Sequence, residues 1–157
     1  MKFTLIKNIR EEKGMLLILQ GFLVFVLLYL IVDTVVAYAN FGLTTQTLSN
    51  TLFGNEEEYI DPLTPSALLE FWHTQIFFMM MILLTLNAIF IRAAKKSRII
   101  MTNLLMMSAI SSLITLPLTY FISKSFLIVY IGTFYLRHIT AIFMVFYLFW
   151  KFNAKSV

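Results

Sequence analysis

Four long apolar runs separated by short polar stretches constrain this chain more than any other feature of its sequence. They extend from Met15 to about Ala39, from Ser66 to Ile91, from Ile99 to Ile122 and from Phe126 to Trp150. Each exceeds the roughly 20 residues a helix needs to cross about 30 Å of hydrocarbon. Inside lipid every backbone polar group needs a partner within the protein, which leaves only helices or closed barrels. Barrel strands are segments of about 10 residues with alternating polarity, and these continuous runs lack that alternation. The expected fold is therefore all-α: a polytopic membrane protein forming one membrane domain over residues 1–157, with transmembrane helices at about 15–39, 66–91, 99–122 and 126–150. The links at residues 92–98 and 123–125 are short enough to force neighbours antiparallel, so the helices should form an up-down-up-down bundle. Composition agrees, since 60% of residues are hydrophobic and 13% charged, against about half and about a quarter in a water-soluble domain.

The charges between the runs set an expected orientation. Lys2, Lys7, Arg10 and Lys13 precede the first run, Arg92, Lys95, Lys96 and Arg98 separate the second from the third, and Lys151 and Lys155 follow the fourth. The connection over residues 40–65 has no Lys or Arg but carries Glu56, Glu57, Glu58 and Asp61, and the last connection carries only Lys124. By the positive-inside rule both termini belong in the cytoplasm and the 40–65 loop outside, in a multi-pass protein of the cell's inner membrane. The net charge of +4 thus reports topology; the expected partner is the lipid bilayer, with other membrane subunits or further copies of the chain, and not nucleic acid. Ala37-Tyr38-Ala39 resembles a signal cleavage site, but the first run is longer than a signal core of about 7 to 15 residues, so a retained helix is expected.

Within the loop, Phe41, Leu43, Leu48, Leu52 and Phe53 are spaced for a short interfacial helix. Thr64 before Pro65 has the form of a helix N-cap with proline in the first turn. Pro117 should kink or loosen the outer turns of the third span. Ser108, Ser111, Ser112 and Thr115 supply the small hydroxyl-bearing surface that helices use for close contact in lipid, so that face should point inward. Trp72, Tyr38 and Trp150 lie near span ends, as interfacial anchors do. Met79, Met80 and Met81 are consecutive and so point in three directions, which favours packing over a copper path.

Ionisable side chains within a membrane are costly and mark candidate sites. Asp33, Glu70, His73, Arg137 and His138 all fall in the outer half or near the midplane when depth is counted at 1.5 Å per residue. Arg137 can extend outward toward Asp33 and Glu70, giving a buried polar cluster of Asp33, Glu70 and Arg137. His73 and His138 occupy different helices and could ligate a b-type haem from opposite faces, although straight-helix geometry separates their levels by about 8 Å. Glu70 and His73 form a Glu-x-x-His pair on one helical face, a weak candidate metal site.

The chain has no cysteine, no Gly-rich phosphate loop and no Ser, His and acid in an accessible frame. An enzyme is thus the least favoured class. The expectation is a non-enzymatic accessory or structural membrane subunit with a polar site in the outer half of the bundle. A haem-binding electron-transfer or cofactor-anchoring subunit using His73 and His138 is one alternative, and a small metal-binding or transport protein the other.

Overall fold

The computed structural model describes residues 13–94 and 98–153. Lys2, Lys7, Arg10, Lys95, Lys96 and Lys155, which contribute to the expected orientation, lie outside the described residues. Five α-helices follow in order: α1 Lys13–Phe41, α2 Thr45–Phe53, α3 Pro65–Ala93, α4 Arg98–Phe121 and α5 Phe126–Asn153. All but α2 are long and apolar enough to cross a membrane, and the protein is a multi-pass helical membrane protein. Most of these helices run one to three residues past the apolar runs, because a helix continues into the interface wherever its polar flanks can meet headgroups and water.

Local chemistry sets the ends of the helices. α1 stops where Gly42 takes φ 71° and its N–H donates to Tyr38 O at 3.0 Å, the left-handed termination that glycine allows. A Cβ at that position would also lie 2.1 Å from the Thr47 hydroxyl. Thr44 and Thr47 then close a reciprocal capping box that starts α2, with Thr at the position that Glu or Gln usually occupies. Gly54 at φ 79° ends α2, and a short 3-10 turn, Glu56–Glu58, is pinned by paired backbone hydrogen bonds between Asn55 and Ile60. Thr64 accepts from Ala67 N–H and Pro65 occupies the first turn of α3.

α5 packs against each of the other four helices. Its polar contacts with α3 join Met79 to Arg137 and Ala93 to Lys151, each pair 58 residues apart in sequence, so the two helices run parallel in constant register. α1 runs the other way, since its Gln20 meets Asn153 near the end of α5 whereas its Asp33 meets Arg137. These registers are compatible with an up-down-up-down course.

α2 does not float on the surface. Leu48 and Leu52 are buried against Ala37, Phe41, Leu127 and Phe134, so the short helix caps one end of the bundle. Tyr135 Oη donates to Leu43 O at 3.1 Å and Tyr120 Oη to Leu63 O at 2.6 Å, which stitches both ends of the 40–65 connection to the spans. A second, larger apolar cluster fills the other half, including Leu23, Leu83, Leu86, Leu105, Met144 and Leu148.

Pro117 lies inside α4, and the helix continues past it to Phe121. Lacking an N–H, proline cannot pair with the carbonyl one turn before it, that of Leu113. Trp72 fills this role: its Nε1–H donates to Leu113 O at 2.7 Å from α3. Trp72 is therefore half-buried and turned inward rather than serving as an interfacial anchor, because an unpaired carbonyl at that depth would cost about 1–3 kcal/mol.

Candidate functional site

Between the two apolar clusters lies one polar layer, to which every membrane-spanning helix contributes. Asp33 of α1 sits between Leu30 and Ala37, Gln75 of α3 between Trp72 and Met79, Ser112 of α4 between Ala109 and Leu116, and Arg137 and His138 of α5 between Phe134 and Ala141. Counted from the observed helix ends at 1.5 Å per residue, these positions lie at about 12 to 18 Å, so the backbones bring them to similar levels.

Asp33 is the hub. Its Oδ2 accepts from Arg137 Nη2 at 2.9 Å and its Oδ1 from Gln75 Nε2 at 2.7 Å. Arg137 Nη1 also donates to Ser112 Oγ at 3.2 Å and to the Met79 sulfur at 3.0 Å, and its guanidinium carbon lies 5.0 Å from the centre of the Phe134 ring. Asp33, Arg137 and His138 are 5%, 4% and 5% exposed. Carboxylate and guanidinium thus neutralise each other out of water, with the remaining polar positions partly met by neutral groups, the condition under which a buried ion pair is tolerated.

His138 completes the hub by a different contact. Its Nδ1 lies 2.9 Å from Phe134 O; a carbonyl only accepts, so Nδ1 carries the hydrogen. Its Nε2 lies 3.2 Å from Asp33 Oδ2 but is not aligned as a hydrogen bond. The imidazole also packs against the Phe134 ring, with centres 4.2 Å apart and planes tilted by 38°, which restrains its orientation. The ring is therefore held by its own helix and presents its second nitrogen to the carboxylate.

Asp33 and Arg137 are brought together, and Glu70 is not with them. Glu70 and His73 are exposed on the outer surface of α3. His73 is two residues from Gln75, a rotation of about 200° around a helix, so it faces away from the hub whatever its depth. The structure therefore does not bring His73 to His138 as paired haem ligands, and Glu70 with His73 stands apart from Asp33 and His138. Among the described residues no group of three or more His, Cys, Asp or Glu is arranged to hold a metal ion. Gln75, absent from the sequence-based candidates, is the second donor to Asp33. Its signal was available in the inward spacing of Trp72, Gln75 and Met79.

A second buried polar residue has no such partners. Asn87 of α3 is 4% exposed, and neither its amide nitrogen nor its oxygen is hydrogen-bonded. Burying an unpaired amide is costly, so Asn87→Leu is expected to raise folding stability by about 1–2 kcal/mol. Thermal unfolding in detergent checks this; a lower midpoint in the leucine variant would mean that the amide has a partner worth keeping.

Four apolar helices closed around the Asp33–Arg137 ion pair define a polytopic helical membrane protein with a charged pair buried in its interior. The chain belongs to the Aq_1264_TM family, a transmembrane helical domain, whose family model matches residues 42–156. No curated protein and no solved structure matches it. The matched segment contains Gln75, Ser112, Arg137 and His138, and Asp33 lies outside it.

Proposed function

We propose that the protein is a non-enzymatic accessory or structural subunit of the cell membrane, with its termini in the cytoplasm and its polar layer serving to fix the order and register of four spans. The supporting observation is closure. The charged hub draws one partner or more from each span, and its three ionisable members are buried beneath the cap formed by α2. Such a hub specifies one arrangement of helices, since a slipped or reordered span would leave Asp33 or Arg137 unpaired in hydrocarbon. Rigid, register-locked bundles suit a role in which the outer faces, rich in exposed Phe, Ile, Leu and Val, meet lipid or other membrane proteins.

Two measurements test this reading. Extraction at native expression level into lipid nanodiscs should yield a discrete assembly heavier than the 18.3 kDa chain with its lipid; a monomer would count against a subunit role. A Soret band in the same preparation, lost in His73→Ala and His138→Ala, would favour instead the haem-binding reading and would require His73 to leave its outward position on α3. Orientation is testable without background, because the chain has no cysteine. Glu57→Cys should react with a membrane-impermeant maleimide in intact cells and Ser156→Cys only after permeabilisation. The reverse pattern would overturn the proposed topology.

A further inference from the structure

Gln75 uses only half of its amide in the hub. Its nitrogen donates to Asp33, whereas its Oε1 is buried without a donor. Beside it, where α3, α4 and α5 meet, lies a cleft lined by Gln75, Met79, Ser112 and Arg137 together with Trp72 and Tyr130. Its free volume is ≈ 10 Å³, about that needed by one water and too small for a larger solute.

The polar groups around the cleft are also incompletely used. The Ser112 hydroxyl hydrogen is committed to Ala109 O at 2.8 Å, so its oxygen can only accept. Arg137 Nη1 has the Met79 thioether as one of its two acceptors, and a thioether is a weak one. An acceptor lacking a donor, an acceptor oxygen and a cationic donor with a poor acceptor thus border the same small space.

We propose that this cleft is a binding site for a single internal water. The water donates one hydrogen to Gln75 Oε1 and the other toward Ser112 Oγ, and accepts the Arg137 Nη1 hydrogen that otherwise points at the Met79 sulfur. That gives three hydrogen bonds, the usual complement of a buried water. The site makes the hub a hydrated one, linking the Gln75 and Arg137 arms of the Asp33 network through exchangeable hydrogens. It does not depend on the proposed subunit role, since a monomeric protein would need the same water.

Hydroxyl-radical labelling by X-ray radiolysis, read by mass spectrometry on the full chain in nanodiscs, tests the site, because radicals form where water sits. Met79 is 3% exposed, and Met144, 0% exposed in the all-apolar cluster, is the internal control. With a bound water as a local radical source, Met79 should be oxidised on the order of ten times faster than Met144. Ser112→Val, which fills the cleft, and Gln75→Leu, which removes the orphaned acceptor, should each bring Met79 down toward the Met144 rate. Equal rates for the two methionines in the unmodified chain would overturn the proposal, as would a fast Met79 rate that both variants leave unchanged. If neither variant folds, the comparison within the unmodified chain still decides.

Discussion

Asp33→Ala is expected to remove about 3–5 kcal/mol of folding stability, and Arg137→Ala a similar amount, because each leaves an uncompensated charge in the bundle interior. The cost comes less from losing an attraction than from stranding its partner: Arg137 would keep only Ser112, the Met79 sulfur and the Phe134 ring. Replacing both partners with apolar residues, Asp33→Leu with Arg137→Met, removes both charges at once. The double variant should therefore be more stable than either single one by about 2 kcal/mol or more, the mark of two residues acting as a unit. Reversible denaturation in mixed micelles measures all three. A double variant as damaged as the sum of the singles would show that the two residues contribute independently and that the ion pair does not organise the layer.

The second large effect concerns Pro117 and Trp72, which lie on different helices but share one carbonyl. Trp72→Phe keeps an aromatic ring but removes the donor to Leu113 O, and should cost about 1–3 kcal/mol, the penalty for leaving a buried polar group unpaired. In a Pro117→Ala background the restored amide can bond Leu113 O within the helix, so the same Trp72→Phe change should cost less by about 1 kcal/mol or more. The thermodynamic cycle separates this account from simple packing, in which the tryptophan would cost the same in both backgrounds. An unchanged cost would mean that the proline and the indole are not coupled.

The sequence made the spans legible because burying backbone in lipid demands long, continuous apolar helices, and length and hydropathy are one-dimensional properties. The Thr64-Pro65 start of α3 is equally local, since a cap and its acceptor lie within four residues of each other. Depth was partly readable too. Helix rise places Asp33 and Arg137 in the same half of the membrane, and their opposite charges make a pair the cheapest arrangement.

Azimuth was not readable. Whether Glu70, His73 or Gln75 faces the interior depends on how α3 is rotated against three neighbours, and rotation is fixed by packing distributed over the whole helix. Around α3, Trp72, Gln75 and Met79 turn inward together and carry Glu70 and His73 outward, so the two most conspicuous ionisable groups of that span miss the hub and an uncharged amide enters it. The same holds for Trp72, whose distance from the span end resembled that of an anchor until the carbonyl freed by Pro117 supplied an inward acceptor. The sequence alone thus determined how many helices are long and apolar enough to cross and at about what level along them the charges lie, because both follow from composition along a line. Only the tertiary structure decided which polar groups meet, because that requires four helices to choose their faces at once.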